Sequence, residues 1–315
     1  MTTRRIIERY GTFLAGIALF IYLMMFAENF ASVPNLLNIL KQVSFLAILS
    51  IGFTFALITS ELDLSFAHVC SFAGVIIGML ISDGVAWQLA AVVGICIGVA
   101  AGIANGLLVT YLKVPSLIAT LGMSSVANGL AFMITGGVAF VGRWDPNFLF
   151  IARGKIGAVP LLVILMLIVV VIAFVFSTQS KAGVHLQSTG ENEEAARRSG
   201  INTRRCKIFG LTLSGAAAGI TAVLLVSNLS SAAPQMGGDF LLLGIAATLL
   251  GMTMFTPAKP NILGSFVGAL IIVMLSNGLV LLGAQYYVQD IMLGIIIIAS
   301  VAVSASVLKQ AAFSL

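Results

Sequence analysis

Apolar stretches close to twenty residues long follow one another along almost the whole chain, and they decide its fold class. A helix needs about 20 apolar residues, within a range of roughly 17–25, to cross the hydrocarbon layer of a bilayer. On that rule helices are expected near 11–27, 43–60, 64–82, 86–110, 115–135, 158–177, 207–228, 240–255, 261–282 and 288–308. The first and eighth are short enough that one of them could be re-entrant. Mean hydropathy is +1.12 and only 9% of residues are charged. A soluble chain of 315 residues would not stay dispersed on so little charge. The sequence therefore reads as an all-α polytopic membrane protein of about ten transmembrane helices. Residues 1–315 form a single transmembrane domain embedded in the lipid bilayer.

The net charge of +5 is then a question of sidedness, and no nucleic-acid partner is implied. Basic residues collect on the cytoplasmic side of membrane proteins. With the N-terminus inside, cytoplasmic segments hold Arg4, Arg5, Arg9, Lys113, Lys181, Arg197, Arg198, Arg204, Arg205, Lys207, Lys259 and Lys309. The other side keeps Lys41, Arg143, Arg153 and Lys155. An even helix count places both termini in the cytoplasm. The basic N-terminal flank leads into Ala27-Glu28-Asn29 without a small-x-small cleavage site, so the first helix is expected to be retained. Cys70, Cys96 and Cys206 have no metal or redox spacing, and no disulfide is expected.

Two long connectors interrupt the apolar pattern. One, about 136–157, is expected outside and carries Trp144, Asp145, Pro146 and Phe148. The other, about 178–206, is cytoplasmic and contains a charged island, Ser188–Lys207. There Asn192 is a good N-cap, and Glu193 and Glu194 oppose the positive end of the helix dipole. Ala195 and Ala196 continue the helix, Arg197 and Arg198 suit its last turn, and Gly200 supplies the left-handed residue past its end. Glu193–Arg197 and Glu194–Arg198 are i,i+4 pairs, worth roughly 0.2–0.5 kcal/mol each. A helix of about two turns is expected, either as a plain connector or as a docking element for a soluble partner.

Gly94, Gly98, Gly102 and Gly106 recur every fourth residue on one helix face and should admit a neighbouring backbone, a packing role. Asn105, Asn128 and Asn277 each open an Asn-Gly-Leu phrase inside apolar sequence. Each amide needs a hydrogen-bonding partner or a wet lining. The segment Ser60–Ser65 is too charged for membrane core. Asp63 is expected to cap the next helix, with Glu61 at a surface or in a water-filled cavity. No P-loop, H-E-x-x-H or G-x-S-x-G motif occurs. The chain should bind no cofactor and perform no chemistry. Paired intramembrane carboxylates, the usual mark of an ion-driven carrier, are absent from the expected helix centres.

Several stretches together resemble the permease subunit of bacterial monosaccharide ABC importers of the ribose type. They are Gly102–Thr110, Lys113–Met123, Thr135-Gly136-Gly137, Gly190–Ile201, Gly264–Ile272 and Asn277-Gly278-Leu279. The resemblance spans about residues 35–305. It implies an importer in the bacterial inner membrane: two permease subunits forming the pathway, a cytoplasmic ATPase carrying ATP and Mg, and a periplasmic solute-binding protein. In that picture the helix at Asn192–Ser199 is the coupling helix, and Phe66, Asn105, Asn128 and Asn277 are pathway positions. The chain departs from the family pattern at Ser60-Glu61, where glycines are usual, and at Leu241 and Leu243, where acids are usual. Homodimer and heterodimer both remain open, as does a self-contained ten-helix secondary carrier of the drug/metabolite type.

Overall fold

A computed structural model describes the backbone of residues 3–142 and 144–313 and the side chains of residues 10–142 and 144–303. Arg4, Arg5, Arg9, Arg143 and Lys309 of the charge argument therefore have side chains outside the described residues.

The described chain is almost wholly helical. It runs α1 (Thr3–Phe26), α2 (Val33–Ile58), α3 (Phe66–Ser82), α4 (Trp87–Thr110), α5 (Ser116–Thr135), β1 (Phe140–Val141) and α6 (Pro146–Arg153). It continues β2 (Lys155–Ile156), β3 (Val159–Pro160), α7 (Leu161–Gln179), α8 (Lys181–Glu191), α9 (Glu193–Arg198) and α10 (Thr203–Leu229). β4 (Ser231–Ala232), α11 (Phe240–Gly251), α12 (Ile262–Leu281) and α13 (Tyr286–Phe313) complete it. Two short ribbons, β1 with β4 and β2 with β3, modify the all-α expectation. A helix occupies each of the ten expected apolar stretches. Seven are long and apolar enough to cross a membrane: α2, α4, α5, α7, α10, α12 and the described part of α13. The apolar part of α1, with α3 and α11, is shorter.

α2 and α10 form the centre, with 67% of the apolar window of each buried, against 28% for α4 and α5. α2 starts ten residues before its expected position. Lys41, Gln42 and two asparagines break the hydropathy run, but Ser32 caps the helix through Asn35 N–H at 3.4 Å, with Pro34 in the first turn. α6 and α8 were not expected as helices. Each has a cap legible in sequence: Asp145 ahead of Pro146, and Ser180 accepting from Gly183 N–H at 2.9 Å.

α11 is a half-length element. Its 12 residues span about 18 Å, against roughly 30 Å of hydrocarbon. The helix was expected over 240–255 but stops at Gly251, where the Asn261 amide reaches the Gly251 and Met254 carbonyls and turns carry the chain on to α12. Its first residue, Phe240, packs on Phe45 with ring centroids 6.4 Å apart. Phe45 lies halfway along the 26 residues of α2, so α11 begins at mid-depth. The chain reaches that point from the β1–β4 ribbon, running down α3: Ala232 faces Gly78, Met236 faces Gly74, and Gly237 meets the Ala67 carbonyl. From the other end of the bundle, 60–65 rises without helix to the start of α3. Non-helical backbone at such depth is tolerated only against protein or a wet cavity.

Candidate coupling and translocation site

α9 forms as its sequence dictates. Asn192 Oδ1 accepts from Ala195 N–H at 2.9 Å, and Gly200, at φ +83°, closes the other end. Every residue of α9 except Ala196 is exposed. Arg198 and Glu194 pair at 2.6 Å in the open, a contact worth little by itself. Glu193 does not pair with Arg197. Its two oxygens instead take Thr203 Oγ1 at 3.2 Å and Lys207 Nζ at 2.8 Å, both from the first turns of α10.

Lys207 is the junction of the site. Its ammonium also lies 2.8 Å from a carboxylate oxygen of Glu61, which is 7% exposed in the connector between α2 and α3. One cation thus ties the exposed α9 to the start of α10 and to the α2–α3 connector. Glu61 is therefore neither at an open surface nor in a water-filled cavity; it is a buried, paired acid. The Lys207 hydrogen bond holds the Glu193 carboxyl below the usual glutamate range. A depressed acid stabilises the fold above its ordinary pKa and loses that contribution as pH falls through the folded value, so the link is complete at neutral pH. Two further contacts seat α8 and α9 against the bundle: Ser60 Oγ donates to the Gly190 carbonyl at 2.9 Å, and Lys259 pairs with Glu191.

Above this junction lies a buried polar cluster. Asp63 does not cap α3, whose N-cap is Ser65 with no side-chain capping bond; its Oδ1 instead accepts from the backbone N–H of Ser65 at 2.9 Å and from its hydroxyl at 2.6 Å, just ahead of the helix. Asn105 Nδ2, on α4, donates to the same hydroxyl at 2.9 Å. Asp63, Ser65 and Asn105 are all within 1% of complete burial.

The four expected pathway positions do not all come together, although Phe66 directly follows Ser65, whose hydroxyl accepts from Asn105. Asn105 belongs to this cluster. Phe66 is fully buried, packed on Phe53 and against Gly244. Asn277, on α12, exchanges two amide hydrogen bonds with Asn35 of α2, at 2.9 and 3.0 Å. Asn128, on α5, is half-buried and its Oδ1 has no hydrogen-bond partner among the described residues. The Asn35–Asn277 pair gives a clean energetic test. Asn277→Leu strands one amide and should lower Tm by the equivalent of about 1–3 kcal/mol, whereas Asn35→Leu with Asn277→Leu should restore most of it. Thermal scans of the detergent-solubilised variants decide between pairing and a plain size effect.

On the α4 face, a Cβ at Gly98 would overlap the Gly215 carbonyl of α10, one at Gly102 the Leu211 carbonyl, and one at Gly106 would sit 2.7 Å from Ile208 Cα. Gly94 meets Ile77 of α3 instead. The sequence reading noted Glu61 and Lys207 separately, but their pairing, and Thr203, escaped it. The signal available was an acid close to Asp63 and a lysine close to Arg204 and Arg205, each at the edge of an apolar run.

A family model described as branched-chain amino acid transport system, permease component, matches residues 35–301. The ribose import permease protein RbsC of Bacillus subtilis is 33% identical over 94% of this chain and 92% of its own length. RbsC of Escherichia coli K12 is 34% identical, covering 88% and 87%, and the D-allose transport system permease protein AlsC of the same strain 31%, covering 96% and 93%. A solved structure described as an inward-facing metal-chelate type ABC transporter aligns with a TM-score of 0.51, 13% identity and 97% and 98% coverage, a likeness of fold. With its helical bundle, its exposed α9 and a match over most of its length, the chain belongs to the family of branched-chain amino acid transport system permease components.

Proposed function

We propose that the chain is the membrane-spanning permease subunit of an ATP-driven importer in the bacterial inner membrane. It moves a monosaccharide or a similar small polyhydroxylated solute. The relatives named for ribose and allose import support the solute class, and the departures at Glu61, Leu241 and Leu243 argue that the solute is not ribose itself. In this reading both termini and the α8–α9 hairpin are cytoplasmic, and ten segments enter the bilayer, α11 only to half its depth. Twelve of the sixteen basic residues then fall on the cytoplasmic side.

The observation that carries the reading is the Glu193–Lys207–Glu61 junction behind an otherwise exposed helix. α9 offers Glu194, Arg197 and Arg198 to a soluble partner on one side and is fastened to two membrane elements on the other. A separate ATPase subunit gripping α9 would pull on α10 and on the α2–α3 connector together. The ATPase supplies ATP and Mg, and this chain holds neither. A second permease subunit completes the pathway, and a periplasmic binding protein delivers the solute.

The test is co-purification from cells expressing the chain with its ATPase and binding protein. Replacing both Glu194 and Arg197 by alanine should abolish ATPase capture and uptake while leaving the permease inserted. Normal uptake by that double variant would sink the reading.

A further inference from the structure

Among the described residues, one carboxylate at mid-depth is used by nothing above. Asp239 immediately precedes α11, which begins halfway along α2. It is exposed, it makes no side-chain capping bond, and it has no hydrogen-bond or ion-pair partner among the described residues. An ionised acid facing lipid at the bilayer centre costs at least about 2.5–3.5 kcal/mol on insertion scales, so such groups face water, a partner or a substrate.

A second polar group marks the same depth independently. His68 lies one residue past Ala67, whose carbonyl meets Gly237 of the descending segment. Its Nδ1 bonds Ser124 Oγ of α5 at 2.8 Å, and the half-buried ring keeps Nε2 without a partner among the described residues. A carboxylate offers acceptors to a pair of hydroxyls, and an imidazole offers one nitrogen that either donates or accepts. Together they suit an uncharged polyhydroxylated solute. An anion would be repelled by Asp239.

We propose that Asp239 and His68 face a water-filled passage at the middle of the membrane and hydrogen-bond the solute's hydroxyls as it crosses. The solute class rests on the import reading above; the wet passage does not. Neither group needs to bind tightly, because a pathway contact that holds its solute too well slows release.

The test uses the assembled transporter with Cys96 and Cys206 replaced by serine and the buried Cys70 retained. Asp239→Cys and His68→Cys are each exposed to a membrane-impermeant sulfonated methanethiosulfonate, from either side of sealed vesicles. Val92→Cys, at an exposed apolar position on α4, is the lipid-facing control. Labelling at 239 and 68 should run at least tenfold faster than at 92, and saturating D-ribose, D-allose or another sugar of a hexose and pentose panel should slow it at least threefold. Labelling no faster than at Val92→Cys would overturn the proposal. So would labelling that no sugar slows, together with unchanged uptake KM in Asp239→Asn. The amount of ATPase co-purifying with each variant is read in parallel. If ATPase capture fails in the parent, the import reading falls; if capture is normal and labelling fails, only the passage does.

Discussion

Lys207→Met is expected to be among the most damaging single substitutions in this chain. It removes the only cation within ion-pair distance of Glu61 among the described residues and leaves that acid 7% exposed with no compensating charge. Breaking a buried pair from one side costs roughly 3–5 kcal/mol, most of it the isolated charge left behind. The detergent-solubilised variant should show a sharply lowered Tm, and uptake should be lost. Glu61→Gln added to Lys207→Met removes the stranded charge, so Tm should recover to within a few degrees of the parent. Uptake should not recover, because α9 is then no longer tied to the connector between α2 and α3. If the double variant regained both, the junction would be a matter of stability alone. If Lys207→Met left both intact, the ion pairs seen here would not exist in the membrane.

The legibility of this arrangement differed along the chain for physical reasons. Hydrophobic length located a helix in every expected stretch because a bilayer imposes one dimension on all of them. It misplaced the start of α2 by ten residues, since the Ser32 cap, with Pro34 in the first turn, outweighs a locally polar run containing Lys41. α9 was readable to the residue: its caps and end charges are local, and the 3.6-residue turn converts them directly into a helix. The junction behind it was not readable. Glu193 was expected to pair with Arg197 four residues on, but Lys207 and Thr203 reach it from the next helix, and no spacing rule reports a contact made by tertiary packing. The half-length α11 was ambiguous for a related reason. Residues 240–255 are apolar but for Thr248 and Thr253, and the amide of Asn261 and the close approach of Gly251 to Gly264 end the helix early. The pathway expectations came without their neighbours: Asn277 bonds Asn35, Asn105 donates through Nδ2 to Ser65 and Phe66 packs on Phe53, contacts that an amide or a ring in an apolar run does not announce in sequence.

The second large effect is expected at the α4–α10 seam. Helices in a bilayer gain little from the hydrophobic effect when they associate, so they depend on van der Waals contact at short range. Gly98 and Gly215 provide it reciprocally: a Cβ on either would overlap the other's carbonyl oxygen. A Cβ at Gly98 would also stand 2.8 Å from Gly219 N. All these obstacles are backbone, on a helix whose apolar window is 67% buried, so neither helix can yield by a side-chain rotation. Gly98→Val should therefore cost at least about 3 kcal/mol, at the upper end of overpacking penalties, and should abolish monodisperse protein in gel filtration. Gly122 and Gly129, on α5, make the contrast, since an added Cβ at either meets nothing within 4 Å. Gly122→Ala and Gly129→Ala should leave the protomer folded and gain up to about 1 kcal/mol from helix propensity. If a second permease packs on that open face, the same alanines will reduce uptake without lowering Tm; a Gly98→Val protein that folds and transports normally would mean that the helices do not approach as closely as described.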